Sequence, residues 1–219
     1  MFKHIIADGK EWTVFEPDKA TILKSKQIDF VRKDAKYIEY ILSISDTFDN
    51  AIDCGACYGF WTYLLQPYFK NIFAFELVNA HRICFLKNME NFHISNYKLF
   101  PFGLGNKAIN CSVGNNVWAI EKFGYAAFNA HVIEDKNGDE KIRTLDSFNL
   151  SNISFIKIDV EGYEINLLKG AYETIKRDKP VIFIEKTITN DNDLVNFLND
   201  LGYDIFKEFE KDILFKKIK

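Results

Sequence analysis

One stretch, from Asn50 to Tyr63, constrains the fold of this chain more than any other. It begins with the short apolar segment Ala51–Ile52, reaches a carboxylate at Asp53, and passes through Gly55 and Gly59 into an apolar helical repeat. Glycine permits the tight turn that joins a buried strand directly to a helix. A helix that begins there directs its free backbone N–H groups toward the crevice above the sheet. The stretch therefore predicts a nucleotide-type binding turn.

The composition fits one α/β domain with elaborations. The chain has 219 residues, of which 47% are apolar, enough for a large core. Its 28 Lys+Arg and 31 Asp+Glu give a net charge of −3, which offers no electrostatic case for nucleic acid. No apolar run is long enough for a membrane span, and residues 1–10 lack the apolar core of a signal peptide. We therefore expect a cytoplasmic protein whose four cysteines are reduced.

Strand and helix signals alternate after the glycine turn. Further buried strands are expected at four segments, 72–76, 97–103, 155–160 and 180–185, and helices at three, 79–92, 163–176 and 193–201. This alternation predicts an α/β fold with a mostly parallel sheet covered on both faces. The last two apolar segments, 203–207 and 213–216, are separated by a short charged turn, so they should form a closing antiparallel hairpin.

Two regions depart from this alternation. Residues 1–45 are expected to form an N-terminal arm, strand-like around residues 12–15, followed by a helix over 26–44. Residues 104–143, after the third strand, contain repeated glycine and asparagine and are expected to be a β-rich insertion. Within it, Asn137–Gly138 lies between two β-prone segments and predicts a hairpin.

Three kinds of ligand compete for the glycine turn. A pyrophosphate prefers Gly-x-Gly-x-x-Gly, but Cys57 occupies the position of the second glycine and aromatic Tyr58 follows. S-adenosylmethionine has no phosphate, and its amino acid end could be held by backbone groups and Asp53. Glu76, at the end of the next strand, could accept the ribose hydroxyls of S-adenosylmethionine or of NAD, so it does not discriminate. A redox or metal role for Cys54-x-x-Cys57 is opposed by its position inside a tight turn.

Several segments together resemble the FkbM family of S-adenosylmethionine-dependent methyltransferases. The turn is similar to that family's Asp-x-Gly-Ala-Asn-x-Gly, with Cys57 where the family usually has Asn, and Ala74–Glu76 is similar to its second-strand end. The most specific similarity is Thr144–Ser147 followed by Ile156–Glu164 and Leu168–Ala171. The resemblance implies a Rossmann-like class I methyltransferase sheet and S-adenosyl-L-methionine as cofactor.

The resemblance also implies a methyltransferase domain over residues 46–219 with a defined set of cofactor contacts. These residues lie in the glycine turn and at the neighbouring strand ends: Asp53, Gly55, Ala56, Cys57, Tyr58, Gly59, Glu76, Leu77, Phe102, Gly103 and Asp159. Of these, Phe102–Gly103 is expected near the adenine and Asp159 near the transferred methyl group. In the strand order of such methyltransferases, the strands that carry Asp53 and Asp159 are neighbours at the topological switch point.

A second charged cluster supplies the catalytic candidates. Lys157, Asp159 and Glu161 are spaced by two as a strand leaves the sheet, so the first two should share a face. Asp159 or Glu161 could take the proton of an acceptor hydroxyl, with His131 as another candidate base. The structural alternative is a Lys157–Asp159 ion pair, with Glu161 favoured by the dipole of the following helix.

The resemblance implies O-methylation of a sugar or another hydroxylated small molecule. A non-catalytic S-adenosylmethionine-binding or partner-binding module and an NAD-dependent oxidoreductase remain the alternatives. Asp159 and Glu161 would suit a hard cation, but the sequence shows no third spaced ligand, so no metal is expected. Three aromatic residues of the insertion could line the acceptor pocket or form a small satellite core: Trp118, Tyr125 and Phe128. The expected acceptor is a small molecule or glycan, without nucleic acid or membrane.

Overall fold

The computed structural model describes residues 2–7, 9–15, 30–115, 130–186 and 191–218. Its strands are β1 (Phe2–Ala7), β2 (Lys10–Phe15), β3 (Asn50–Cys54), β4 (Asn71–Phe75), β5 (Tyr97–Phe100), β6 (Gly103–Leu104), β7 (Ile109–Asn115), β8 (Ala130–Glu134), β9 (Glu140–Arg143), β10 (Ile153–Ile158), β11 (Val181–Glu185), β12 (Tyr203–Glu208) and β13 (Asp212–Lys217). Its helices are α1 (Phe30–Ile44), α2 (Phe60–Leu65), α3 (Asn79–Asn91), α4 (Glu164–Gly170), α5 (Tyr172–Asp178) and α6 (Asp191–Asp200), with a 3₁₀ helix at Leu145–Phe148.

Seven strands form the central sheet in the order β12-β13-β11-β10-β3-β4-β5. Strands β3, β4, β5, β10 and β11 pair in parallel, whereas β13 runs antiparallel to both β11 and β12. The predicted parallel sheet and its closing antiparallel hairpin are therefore confirmed. The chain reverses direction across the sheet between β3 and β10, and this switch point opens a crevice at the carboxyl ends of the strands.

Both faces of the sheet are covered by apolar side chains. On one face, β2, α1 and α2 pack around fully buried Trp12, Tyr58 and Phe155. On the other, the helices after β10 and β11 contribute residues such as Leu167 and Leu198. Burial of this kind, at roughly 25 cal/mol per Å² of apolar surface, supplies the main driving force for folding. The strand ends thereby become fixed points to which the site side chains are attached.

The N-terminal strands form an antiparallel hairpin that packs beside the glycine turn. Its Trp12 ring lies 4.4 Å from Phe60 and 4.6 Å from Phe92, measured between centroids. The buried Asn88 amide accepts a hydrogen bond from the Thr13 N–H at 2.7 Å and donates to the Thr13 carbonyl at 3.0 Å and the Tyr58 carbonyl at 2.9 Å. One side chain of α3 thus joins the hairpin to the turn.

Strands β6 to β9 form a second sheet in the order β6-β9-β7-β8, separate from the central one. The hairpin predicted at Asn137–Gly138 is wrong, because β8 and β9 each pair antiparallel with β7 and lie on opposite sides of it. The connection between them crosses the end of β7, where Gly138 lies so close to the Cys111 backbone that a Cβ atom would collide with it. A turn sequence does not reveal that a third strand will lie between the two it connects.

The helix predicted over 163–176 is divided into α4 and α5 at Ala171. Gly170, at the end of α4, packs against the Gly105 carbonyl so closely that a Cβ atom would collide with that oxygen. Helix α4 is therefore held against Gly105, which directly follows β6, the first strand of the second sheet. None of the helices in the described ranges combines the length and apolar character needed to cross a lipid bilayer.

Candidate functional site

The glycine turn lies at the carboxyl end of β3, where two neighbouring strands contact it. The N–H groups of Gly55 and Ala56 both donate to the Phe75 carbonyl of β4 at 3.0 Å. Gly55 has a φ of 75°, and a Cβ atom there would collide with the Asp159 carbonyl that follows β10. Gly59, with a φ of 88°, faces Met89 and Phe85 at close range. Both glycines are required, since the close approach and the left-handed backbone exclude a side chain.

Glu76, directly after β4, holds the other end of the same turn. Its Oε2 accepts the Cys57 N–H at 2.8 Å, and its Oε1 accepts the Val78 N–H at 2.7 Å. His81 Nδ1 lies 3.6 Å from Oε1. Burial alone would raise the pKa of Glu76, but His81 and the two backbone donors outweigh it and lower the pKa below its ordinary value. This carboxylate is therefore ionised in an enclosed position at the turn.

Asp53 lies beneath the turn, fully buried at the end of β3. Its Oδ2 accepts a hydrogen bond from Thr62 of α2 at 2.7 Å, and its Oδ1 lies 3.6 Å from Lys157 Nζ. Burial raises its pKa, against the opposing effects of Lys157 and Thr62. The geometry brings Asp53 to the glycine turn from below, with its carboxylate directed toward protein groups.

Lys157 connects the two central strands. Residues 157 and 53 are register partners of β10 and β3, and Lys157 is only 3% exposed. Its Nζ donates to the Gly55 carbonyl at 3.0 Å and lies 3.5 Å from Asp159 Oδ2. Burial acts to lower its pKa, but the charges of Asp159 and Asp53 prevail and raise it, so the ammonium is retained. The predicted Lys157–Asp159 proximity is present, with a second carboxylate on the other side of the lysine.

Carboxylates crowd the carboxyl ends of β10 and β11. One oxygen from each of Asp159, Glu161 and Glu185 lies within 4.8 Å of the other two. Burial, together with the charge and close approach of Asp159, raises the pKa of Glu185 to about 10. Burial and the charges of Asp159 and Glu164 raise the pKa of Glu161 to about 8. Asp212, at the start of β13, is raised by burial and by Asp159 to a pKa of about 6.

Asp159, Glu161 and Glu185 are all half-buried, and the Asp159 side chain is 39% exposed. Protons held on Glu161 and Glu185 relieve the repulsion that three adjacent negative charges would otherwise produce. The arrangement leaves Asp159 as a partly exposed carboxylate next to a buried ammonium and two acids whose pKa values are raised. Such a group can accept a proton from a ligand in the crevice.

Oxygen ligands for a cation are also concentrated here. Asp159, Glu161 and Glu185 offer three carboxylate oxygens at a spacing that a hard divalent ion tolerates. The sequence identified Asp159 and Glu161 as oxygen ligands and predicted no metal because it showed no third ligand at a suitable spacing. The structure corrects this premise, because Glu185 of the neighbouring strand β11 supplies a third oxygen.

The residues expected near an adenine lie on the other flank of the turn. A Cβ atom on Gly103 would be 3.3 Å from the Leu77 side chain, so β6 packs against the loop that follows Glu76. Phe102 is half-buried, with its ring 5.7 Å from Phe148 and the Arg143 guanidinium 5.5 Å above it. Ala56 and Tyr58 are buried within the turn, and Tyr58 contacts His81 edge-on at 5.1 Å. The predicted cofactor residues thus surround one turn.

The structure does not place the side chains of four residues that the sequence suggested for the acceptor site. Trp118, Tyr125 and Phe128 fall outside the described residues. His131 is placed only by its backbone, as the β8 register partner of Gly114. A role for any of them in the acceptor pocket stays a prediction.

The structure also brings to the site several groups that sequence reasoning undervalued or missed. Glu185 ends an apolar strand just as Glu76 follows one, but from the sequence a solvated or structural role is favoured for it over a site role. Asp212 begins an antiparallel strand, so only the topology brings it to the carboxyl edge. His81 and Arg82 lie in the first turn of α3, where no sequence signal marks them.

A glycine turn after β3, an acidic residue after β4 and a topological switch point between β3 and β10 are typical of a nucleotide-cofactor-binding α/β protein. The family description "Methyltransferase FkbM domain" matches residues 53–205. No curated protein matches the sequence.

Three solved structures with a similar fold carry methyltransferase or methylase names. Methyltransferase FkbM from Methylobacillus flagellatus KT is 18% identical, with a TM-score of 0.56 over 81% of this chain and 50% of that chain. This chain thus spans 50% of the length of that protein. The Streptococcus mutans protein SMU.1697c, solved in complex with SAH, is 13% identical, with a TM-score of 0.55 over 82% and 94% of the two chains. An rRNA methylase from Streptococcus thermophilus is 11% identical, with a TM-score of 0.53 over 83% and 93%.

Since the family match extends over most of the sequence, the chain belongs to the FkbM methyltransferase family. S-adenosylmethionine is the cofactor that membership of this family indicates. The structural similarities, all below 25% identity, establish the shared fold.

Proposed function

We propose that this protein transfers the methyl group of S-adenosylmethionine to a hydroxyl group of a sugar or another hydroxylated small molecule. The observation that carries the proposal is the partly exposed Asp159 carboxylate, which belongs to a carboxylate cluster and whose backbone carbonyl lies against Gly55 of the glycine turn. An aliphatic hydroxyl must lose its proton as it attacks, so O-methylation requires a nearby base.

The residues around the turn fit the cofactor. Each oxygen of Glu76 accepts one backbone N–H, and a carboxylate oxygen has a second acceptor position that a ribose hydroxyl could use. Gly55, Ala56, Cys57 and Gly59 would present backbone groups to the amino acid end, and Leu77 with Phe102–Gly103 would flank the adenine. Bound S-adenosylmethionine supplies an electrophilic methyl group on a sulfonium that leaves as a neutral thioether.

Asp53 and Lys157 would act from beneath the turn. Both are buried and bonded to protein groups, so we assign them the positioning of the Gly55 carbonyl and of Asp159. Asp159 would receive the hydroxyl proton, and the Lys157 ammonium would stabilise the charged carboxylate before transfer. Glu185, which has an oxygen within 4.8 Å of an Asp159 oxygen, would support the other side of Asp159. Glu161, beside Asp159, is the second candidate for the base.

Charge also bears on the acceptor. Even with protons on Glu161 and Glu185, the crevice edge at the carboxyl ends of β10 and β11 offers a phosphate the carboxylates of Asp159 and Asp212 and, among the described residues, no cluster of cations, and the whole chain carries a net charge of −3. Both features oppose a nucleic-acid acceptor, although one structural neighbour is an rRNA methylase. A neutral polyol would meet hydrogen-bond acceptors on every side.

The test is a transfer assay with methyl-labelled S-adenosylmethionine and a panel of neutral sugars, glycans, hydroxylated metabolites, amines and ribosomal RNA. We expect label in an alkali-stable methyl ether together with SAH, and no label when Asp159→Asn replaces the parent protein. Transfer only to amines or RNA would overturn the acceptor class. Tight SAH binding without transfer to any member would favour a non-catalytic binding module, and a thermal shift with NAD but not with SAH would favour an oxidoreductase.

A further inference from the structure

The loop of residues 76–78, which carries the Glu76 carboxylate, is held from outside by the guanidinium of Arg82. Nη1 of Arg82 donates to the Glu76 carbonyl at 3.1 Å and also to the Leu77 carbonyl. Nη2 donates to Asn79 Oδ1 at 3.3 Å. The side chain is 14% exposed, so these bonds lie largely away from solvent. One side chain in the first turn of α3 therefore fixes two consecutive carbonyls of the loop.

The same guanidinium reaches the second sheet. Nη1 lies 3.2 Å from Oε2 of Glu140 on β9, and the Glu140 side chain is 20% exposed. Two residues further along β9, Ile142 pairs with Gly103 of β6. Gly103 packs against Leu77, since a Cβ atom on this glycine would lie 3.3 Å from the Leu77 side chain. The loop is thus enclosed between α3 and the second sheet, with Arg82 bonded to both.

We propose that Arg82 is a positioning residue for the cofactor, whose guanidinium fixes the 76–78 loop against the second sheet so that Glu76 keeps its orientation at the glycine turn. It need not touch the cofactor, because it acts through the backbone that carries Glu76. Lysine should replace it poorly, because a lysine side chain ends in one nitrogen that cannot also serve Asn79, and its strongly hydrated ammonium lacks the planar donor arrangement of a guanidinium. This proposal depends on the binding of S-adenosylmethionine at the glycine turn and not on the identity of the methyl acceptor.

The chain provides a matched control in Arg177. That arginine also donates to a backbone carbonyl, of Leu150, and pairs with a carboxylate, of Asp178, at the distant end of β10. Arg82→Lys and Arg177→Lys each remove a guanidinium that joins a backbone carbonyl to a carboxylate, the first beside the 76–78 loop and 14% exposed, the second remote from it and 47% exposed. Any general loss of stability should appear in both variants.

Calorimetric titration with SAH is the first measurement. We expect Arg82→Lys to raise the Kd for SAH about tenfold or more, the effect of losing one to two charge-assisted hydrogen bonds. Arg177→Lys should bind within about twofold of the parent. Glu140→Gln, which retains both carbonyl bonds, should weaken binding about threefold. An unchanged Kd in Arg82→Lys would overturn the proposal; if that variant does not fold, an unchanged Kd in Glu140→Gln would do so.

Amide hydrogen exchange separates positioning from general stability. The Cys57 and Val78 amides donate to the Glu76 carboxylate, whereas the Gly55 and Ala56 amides donate to the Phe75 carbonyl. In Arg82→Lys, we expect faster exchange at the first pair by about tenfold and little change at the second. Equal acceleration at all four amides would indicate a merely structural role.

Discussion

The two flanks of the glycine turn hold the same chemical group, a carboxylate at a strand exit, in opposite environments. On the β4 flank, Glu76 is enclosed by N–H donors and His81, which lower its pKa. On the β10 flank, Asp159 is bordered by Glu161 and Glu185, whose pKa values rise to about 8 and about 10. The neighbours decide the protonation state: donors retain a permanent negative charge, whereas clustered acids retain protons. The first environment suits ligand hydroxyls, and the second suits proton transfer.

The largest expected effect concerns the β10 flank. Asp159→Asn removes the proposed proton acceptor and should slow methyl transfer by about 10²–10⁴-fold, the usual contribution of a general base. Single-turnover assays with the acceptor found above measure the rate, and calorimetry with SAH measures affinity, which should stay within about threefold. A loss of SAH affinity equal to the loss of rate would assign Asp159 to cofactor binding alone.

The second largest expected effect concerns the contact between Gly55 of the glycine turn and the Asp159 carbonyl, which connects the two flanks. Gly55→Ala requires a φ near 75° and places a Cβ atom against the Asp159 carbonyl, so the free energy of unfolding should fall by about 3 kcal/mol or more. Gly162 is the matched control, since its φ is 97° but nothing lies within 4 Å of its Cβ position. Gly162→Ala should cost only about 1 kcal/mol, from the backbone strain.

Urea unfolding of both variants measures this difference. Equal losses would mean that the backbone conformation, and not contact between the two strand exits, makes Gly55 necessary.

On the β4 flank, Glu76→Ala should weaken SAH binding by about 30-fold, or about 2 kcal/mol, because the ribose partner and the acceptor for the Cys57 N–H are both lost. Glu90→Ala, an exposed change on the following helix α3, should bind as the parent does. Calorimetric titration measures both. Undiminished affinity in Glu76→Ala would exclude this flank from cofactor binding.

The smallest effect is a pH dependence of stability. A carboxyl group with a raised folded pKa stabilises the fold fully below its unfolded pKa, 4.5 for Glu185, and this stabilisation is lost as the pH rises through the folded value of about 10. Glu185→Gln cannot ionise, so its Tm relative to the parent should increase by at least about 3 °C between pH 5 and pH 9. Exposed Glu210→Gln is the control and should show no such trend.

Thermal unfolding at several pH values provides the comparison. A constant Tm difference would show that the β10 cluster does not retain its protons.

Much of the fold followed from local sequence patterns. The period and length of apolar segments predicted the central strands, since β-strands that are buried on both faces must be continuously apolar. The residues that end those strands, Asp53, Glu76 and Asp159, were identifiable because polar groups appear where burial stops. The Asn137–Gly138 hairpin was predicted wrongly because strand pairing depends on partners far along the chain, and here β7 lies between the two segments.

The sequence by itself determined the order of strands and helices, the glycine turn and the acidic residue at each of the strand exits around it. Only the tertiary structure decided which exits share one crevice, that Lys157 lies between two carboxylates, and that Glu185 and Asp212 join Asp159. It also decided that Arg82 connects the cofactor loop to the second sheet. The reason is physical: hydrophobic periodicity is a local property of the chain, whereas the environment of a charge depends on every element packed against it.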